Sequence, residues 1–167
     1  MSGLFGTKER PPKNSPVYEA LGALDELNSL LGICRAHSKK TKYRLDVTCE
    51  ILEVQECLFI IQAELAGAQK FIMQIQIDRL EKTIDYIEET IQKLNAFVIP
   101  GATEISALYD YARALARRAE RAVIGAQPLQ SVSVITLSYL NRLSSLLYAL
   151  ARYVANCENV KEISPSY

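Results

Sequence analysis

The sequence predicts an all-α fold, a five-helix up-and-down bundle. Apolar residues recur at alternating spacings of three and four along most of the chain, which is the period of a helix with one buried face. Only 7 of the 167 residues are glycine, and the 6 prolines lie near the start, the middle and the end of the chain, where breaks between helices belong. Short connections between such stretches favour antiparallel neighbours.

The first helix is predicted to begin at the Ser15-Pro16 pair and to run to about Ala36. Serine is a favoured N-cap, and proline suits the first turn because no helical hydrogen bond needs its missing amide proton there. The inner face of this helix carries Leu24, Leu27 and Leu31. The polar segment SKKTK then turns the chain.

The second and third helices are predicted from their apolar stripes, both of which fit the seam of a bundle. The stripe of the second helix consists of Ile51, Val54, Leu58, Ile61 and Leu65. The stripe of the third consists of Ile77, Leu80, Ile84, Ile87, Ile91 and Leu94, with acidic and basic residues on the other faces.

The fourth helix follows the break IPGAT, with Thr103 as its N-cap, and is predicted to run to about Ala126, before Gln127-Pro128. Its apolar face consists of Ile105, Leu108, Ala112, Leu115 and Ala119. The fifth helix is predicted from the seam formed by Leu140, Leu143, Leu147, Leu150 and Val154.

Length and composition predict one soluble domain over residues 1–167, with a flexible segment at 1–15, the bundle at 16–157 and a tail at 158–167. Hydrophobic residues make up 49% of the chain, charged residues 23%, and the formal net charge is zero, so no nucleic-acid partner is expected. No apolar run approaches the roughly 20 residues of a membrane span and no signal peptide is evident, so we expect no membrane partner and a cytoplasmic location.

The cysteines do not predict a metal site or a disulfide framework. Cys34, Cys49, Cys57 and Cys157 are scattered singly within helical patterns, without a CxxC pair, and His37 is the only histidine. We expect reduced, partly buried thiols and a structural or exposed His37. A di-iron bundle is also disfavoured, because it needs repeated Glu-x-x-His pairs.

The fourth helix carries an unusual set of charges. Arg113, Arg117, Glu120 and Arg121 fall at offsets of zero, four, seven and eight and so share one stripe, predicted to lie opposite the apolar face, and the helix contains Arg118 but no lysine. Guanidinium groups can bind phosphates in a bidentate manner. A solvated face or a ladder of salt bridges between subunits explains the same pattern, and the stripe by itself favours these explanations over a phosphate site.

Polar residues beside the seams of the first and fifth helices need partners. Asp25 could pair with an arginine of the fourth helix, and Asn141 could recognise an adenine or ribose edge, although a purely structural role is the commoner outcome for each. Lys8 and Lys13 lie in a basic N-terminal segment that could fold over a polyphosphate or remain an untethered tail.

Three separated stretches together resemble the PduO-type cobalamin adenosyltransferase family: YEALGALDELNSLLG at 18–32, ARALARRAER at 112–121 and YLNRLSSLLYALARY at 139–153. The likeness continues through LFIIQAELA in the second helix and FVIPGA before the fourth. The resemblance implies a five-helix bundle that assembles as a homotrimer, with active sites between neighbouring subunits.

The resemblance also implies roles for individual residues. Asp25 would form an intersubunit salt bridge with Arg113, and Phe97 would form the wall of the corrinoid site. The residues expected at ATP are Lys8, Lys13, Arg117, Glu120, Arg121 and Asn141.

The implied reaction transfers the 5′-deoxyadenosyl group of ATP to the cobalt of reduced cob(I)alamin and releases triphosphate. ATP, Mg²⁺ and a corrinoid are the expected small molecules, and a reductase or flavin reductant and a cobalamin-dependent acceptor enzyme are the expected partners. A relative that carries corrinoid or nucleotide without catalysis, and a helical oligomerisation module, are the competing hypotheses.

Two departures from the family pattern predict weaker ATP binding. The chain starts at MSGLFGT, where the family usually has a longer segment similar to TRTGDDGTTSLFGG that wraps the triphosphate and its magnesium. Ser145 stands where the family usually has an acidic residue.

Overall fold

The computed structural model describes residue 12 and residues 14–39, 43–91 and 97–167, and the only regular secondary structure within these residues is α-helix. The predicted all-α, five-helix fold is therefore confirmed for the described part of the chain. The helices are α1 (Pro16–Ser38), α2 (Val47–Leu65), α3 (Gln74–Thr90), α4 (Glu104–Ala126) and α5 (Val134–Cys157).

Side-chain caps fix where several helices begin. The Ser15 hydroxyl accepts a hydrogen bond from the amide of Val17 at 3.4 Å, with Pro16 as the first helical residue, as predicted. Thr103 and Ser106 bond reciprocally at the start of α4, each side chain accepting from the other's backbone amide at 3.2 and 2.8 Å. These contacts satisfy amide groups that the helix itself leaves without acceptors.

The helices are arranged with α4 at the centre. α4 packs against α1 on one side and α5 on the other, α2 packs on α1, and α3 packs on α5. Side chains also join α2 to α3, because the Thr83 hydroxyl donates to the Glu50 carboxylate at 3.0 Å and Arg79 pairs with Glu53. This order places polar residues of α4 beside those of α5.

The predicted leucine and isoleucine stripes of α1, α2 and α5 are confirmed as core. Their members are at most 2% exposed. The stripe of α3 is also confirmed from Ile77 to Ile87, but the prediction of a longer helix was wrong at Ile91, where the backbone becomes extended and α3 ends. Leu94 lies outside the described residues.

The predicted inner face of α4 was partly wrong. Ile105, Ala112 and Ala119 are buried as expected, but Leu108 and Leu115 are only partly buried. Because α4 packs against both α1 and α5, its buried face also includes residues outside the predicted stripe. These residues are Tyr109, Ala116, Val123 and Ala126, all 0% exposed.

A buried carboxylate connects α2 to the start of α5. Glu64 is 3% exposed, and it accepts hydrogen bonds from the Ser133 amide at 2.7 Å and the Thr136 hydroxyl at 2.5 Å. A negative charge at a helix N-terminus also interacts favourably with the helix dipole. The interaction fixes the position of α5 relative to α2.

Replacing Glu64 with alanine is expected to lower the free energy of unfolding by about 2 to 3 kcal/mol, because two buried donors lose their acceptor. Denaturant unfolding at fixed protein concentration measures the change. Glu56→Ala is the control, because Glu56 is an exposed glutamate of the same helix and its loss should cost less than about 0.5 kcal/mol. Equal midpoints for the two variants would contradict the assignment.

Candidate active site

The predicted arginine stripe, consisting of Arg113, Arg117 and Arg121 with Glu120 between them, lies along one edge of α4. Arg117 and Arg121 are exposed, whereas Arg113 and Glu120 are partly buried. The expectation that the stripe lies opposite the apolar face agrees with the exposure of Arg117 and Arg121 but was wrong for Arg113 and Glu120, which contact Tyr148 and Asn141 of α5. The reason is the shift of the buried face described above, which turns Arg113 and Glu120 towards α5.

Glu120 and Asn141 are brought together, as residues that share one site must be. The Asn141 amide nitrogen donates a hydrogen bond to the Glu120 carboxylate at 3.0 Å, across the α4–α5 boundary. This contact uses one amide proton of Asn141 and fixes which way the amide faces. The amide oxygen of Asn141 therefore points away from Glu120.

Arg113 lies against an aromatic ring that sequence reasoning missed. Its guanidinium carbon is 5.5 Å from the centroid of the Tyr148 ring, and that of Arg152 is 4.9 Å from the same centroid. Both distances are within the range of cation–π attraction. Tyr148 therefore orients Arg113, and it connects the arginine stripe to an arginine of the core.

Arg152 is the centre of a buried charge cluster. Its side chain is 5% exposed, and it pairs with Asp110 of α4 at 2.6 Å and with Glu162, whose side chains are each 8% exposed. Burial raises the pKa of Glu162, and the positive charge of Arg152 only partly opposes this. The signal that could have revealed the cluster is a lone arginine within the apolar run LLYALARYV.

Asp25 lies on a different side of the subunit from Arg113. It is exposed in a groove of about 700 Å³ between α1 and α2, whose other lining residues include Tyr18, Leu21 and Phe59. The two residues form no ion pair with each other within the described chain. The predicted Asp25–Arg113 bridge between subunits therefore remains a prediction.

A second cleft lies between α3 and α5 and has a volume of about 490 Å³. Asn141 is among its lining residues, together with Glu81 and Arg142, which pair at 3.2 Å. Asn141 thus lies between this cleft and the arginine stripe. Its amide can bind a ligand group that lies in the cleft or one that lies over the stripe.

Phe97, the predicted corrinoid wall, is 79% exposed in the segment before α4. The amide of Ile99 donates to the carbonyl of Ile163 at 2.8 Å, so the segment is held by the C-terminal residues. An aromatic ring exposed to this degree is available to a large apolar ligand. Lys8 and Lys13, predicted at ATP, lie outside the described residues.

The described residues contain no group of three or more His, Cys, Asp or Glu side chains placed to hold a metal ion. None of the helices within the same residues is long and apolar enough to cross a membrane. The arrangement on α4 and α5 instead offers guanidinium groups, an amide and a carboxylate. These groups suit a polyanion that also carries hydrogen-bonding edges.

The comparisons with known proteins agree with this chemistry. The family model described as cobalamin adenosyltransferase matches residues 1–154, and the chain belongs to this family. The chain is 38% identical to the corrinoid adenosyltransferase PduO of Citrobacter freundii, over 87% of this chain and 44% of that protein. It is 35% identical to the corrinoid adenosyltransferase PduO of Salmonella typhimurium, over 96% of this chain and 50% of that protein.

The chain thus spans about half the length of these two relatives. A corrinoid adenosyltransferase of Bacillus subtilis is 33% identical, with 92% of this chain and 80% of that protein covered. Among solved structures, a variant PduO-type ATP:corrinoid adenosyltransferase from Lactobacillus reuteri, complexed with cobalamin and ATP, superposes with a TM-score of 0.87. It is 27% identical, and the match covers 96% of this chain and 91% of that one.

Thiol reactivity tests the burial of the cysteines. Cys34 and Cys57 are buried and Cys49 and Cys157 are exposed. Burial raises the pKa of Cys34 to about 12, so this thiol stays protonated at pH 8. Desolvation also raises the pKa values of Cys49 and Cys157, but both thiols are exposed, so an aromatic disulfide reagent should modify them faster than Cys34 in the native protein and should modify all four cysteines in guanidinium. Rapid native modification of Cys34, located by peptide mass, would contradict the structure.

Proposed function

We propose that the chain is an ATP:corrinoid adenosyltransferase, which transfers the 5′-deoxyadenosyl group of ATP to the cobalt of cob(I)alamin. The observation that carries the proposal is the α4–α5 edge, where the arginine stripe lies beside the Glu120–Asn141 hydrogen bond. Family membership supports it, and so does the likeness to a structure complexed with cobalamin and ATP.

In the proposed reaction a cobalt–carbon bond forms to the 5′ carbon of ATP, and the bond from that carbon to triphosphate breaks. The leaving group gains negative charge as this bond breaks. Arg117 and Arg121 are exposed and one helical turn apart on α4, so they can bind phosphate oxygens from one side. Stabilising a departing polyanion by guanidinium groups needs no general acid or base from the protein.

Asn141 and Glu120 are proposed to orient the nucleoside part of ATP. Glu120 holds the Asn141 amide by the 3.0 Å hydrogen bond, which leaves the amide oxygen and one amide proton for a base or ribose edge. Orientation matters because displacement requires the 5′ carbon to lie between the cobalt and the departing oxygen. Lys8 and Lys13 are proposed to contact the phosphates.

Phe97 is proposed to cover the lower face of the corrin. Its exposed ring can exclude water and the nucleotide tail of the corrinoid from the axial position of cobalt. Mg²⁺ is proposed to accompany ATP as part of the substrate, bound mainly by phosphate oxygens and water. We assign no residue of the chain to it.

We further propose a homotrimer in the cytoplasm, with Asp25 of one subunit paired to Arg113 of the next. The positions of these two residues on different sides of one subunit support such a pairing. A reductase or flavin reductant would supply the electron that makes cob(I)alamin. A cobalamin-dependent enzyme would receive the adenosylated product.

The direct test is anaerobic incubation of the chain with cob(I)alamin and MgATP, followed by the absorbance change to adenosylcobalamin and by triphosphate release in equal amount. Turnover is the expected result. A folded protein that binds ATP or corrinoid without turnover would instead support a carrier. A folded oligomer that binds neither would support an oligomerisation module.

Arg117→Ala is expected to lower kcat/KM for ATP by about 10²- to 10³-fold, because a charged donor to the leaving group is lost. Arg117→Lys should recover part of the loss, since it keeps the charge but not the paired donors. The control is Arg44→Ala, which removes an exposed arginine outside the five helices. Unchanged steady-state kinetics in Arg117→Ala would remove this residue from the site.

Asp25→Ala is expected to weaken assembly and activity together, whereas Glu26→Ala should leave assembly intact. Glu26 is the adjacent carboxylate and pairs with Arg118 of its own subunit, and such exposed pairs contribute little stability. Analytical ultracentrifugation measures the oligomer. Asp25→Arg combined with Arg113→Asp should restore assembly lost in each single variant. A stable trimer in Asp25→Ala would contradict the interface role.

A further inference from the structure

The C-terminal residues beyond α5 are folded back onto the subunit by a defined turn. Asn159 adopts a left-handed backbone conformation with φ of 56°, which asparagine tolerates better than most residues. Its amide bonds to the carbonyl of Asn156 at 2.9 Å, and the amide of Val160 bonds to that of Ala155 at 3.1 Å. This is the paired hydrogen-bond pattern that commonly ends a helix and reverses the chain.

Two contacts then attach the returning segment to the rest of the subunit. The Glu162 carboxylate reaches Arg152 in the interior, where the opposite charges touch without the geometry of a hydrogen bond. The carbonyl of the next residue, Ile163, accepts the amide of Ile99 at 2.8 Å. One side-chain contact therefore fixes the C-terminal segment, and the adjacent backbone contact fixes the segment before α4.

The fold does not need Glu162 in order to neutralise Arg152. Asp110 already pairs with the same guanidinium at 2.6 Å, so Glu162 is a second carboxylate beside a single buried cation. Removing a carboxylate from water is costly, and the raised pKa of Glu162 reflects that cost. A buried charge that exceeds what pairing requires points to a role in fixing one geometry.

We infer that Glu162 is a positioning residue for the corrinoid side of the site. By binding Arg152, Glu162 anchors the C-terminal segment, and the backbone of this segment holds Ile99. Holding Ile99 in turn limits the movement of Phe97. Phe97 is two residues from the anchored amide and is 79% exposed, so its own side chain does little to fix it. The inference rests on the proposed function, because the role of Phe97 does.

The same cluster extends towards the nucleotide side. The guanidinium of Arg152 lies 4.9 Å from the centroid of the Tyr148 ring, which Arg113 approaches at 5.5 Å. Asp110 of α4 pairs with Arg152 independently of Glu162. Arg152 should therefore keep its place beside Tyr148, and Tyr148 its place beside Arg113, when Glu162 is lost. The effect of losing Glu162 should therefore appear on the corrinoid rather than on ATP.

The test compares Glu162→Gln with Glu158→Gln in the full chain. Glutamine keeps the shape of the side chain and removes only its charge. Glu158 is an exposed carboxylate four residues away that contacts the Tyr43 hydroxyl at 3.4 Å and not Arg152, which makes it the matched control. Hydrogen exchange at the Ile99 amide reports the anchor without any substrate, and it should be about tenfold faster in Glu162→Gln only.

In turnover, Glu162→Gln should lower kcat/KM for the corrinoid about tenfold while KM for ATP changes less than about twofold. In a Phe97→Ala background the same substitution should have little further effect on kcat/KM, because the effects of two substitutions do not add when one residue acts through the other. Full additivity, equal effects on both substrates or behaviour matching Glu158→Gln would overturn the inference. Faster exchange at Ile99 without a kinetic change would do so too.

Failure of the proposed function gives a different result from failure of this inference. In that case the unmodified chain does not turn over under any condition, and the corrinoid role of the anchor is overturned with it. Exchange at Ile99 would still show whether Glu162 holds the segment.

Discussion

The central constraint in this protein is the close packing of α4 between α1 and α5. Three alanines, Ala112, Ala116 and Ala119, are 0% exposed along this helix, and small side chains allow neighbouring helices to approach closely. Because α4 is held on two sides, its remaining surface is narrow and its orientation is fixed. The arginine stripe, the Glu120–Asn141 hydrogen bond and the Arg113–Tyr148 contact all follow from that orientation. A larger residue in place of Ala116 would move all of them at once.

The candidate site has two kinds of arginine: exposed ones that are free to bind a ligand, and a buried one that supports the side chains around it. Arg117 and Arg121 are exposed, so they can exchange water for phosphate oxygens at low cost. Arg152 is buried between two carboxylates of its own subunit, with which its guanidinium is already paired. Tyr148 lies between the two kinds of arginine and transmits the rigidity of the core to Arg113. For the proposed reaction such support matters, because misplacing a reacting carbon by about 1 Å can cost about a hundredfold in rate.

Much of the fold was predictable because helical periodicity is a local property. The stripes of α1, α2 and α5, the caps at Ser15 and Thr103, and the end of α4 at Ala126 depend on neighbouring residues and agree with the structure. The inner face of α4 was less predictable, since a helix packed on two sides buries a wider face than one stripe indicates. The end of α3 was also misjudged, because apolar residues continue past Thr90 while the backbone turns extended at Ile91.

The sequence by itself determined the helical class and the family, because periodicity and the motifs around Asp25, Arg117 and Asn141 are readable along the chain. The family resemblance also predicts a shared role for Glu120 and Asn141, which lie within hydrogen-bonding distance of each other at 3.0 Å. Only the tertiary structure revealed that Asp110, Arg152 and Glu162 form one cluster, since these residues are separated by tens of positions or follow the last helix. Long-range pairing of charges depends on how helices are stacked and where the chain reverses, and neither is encoded in any local spacing.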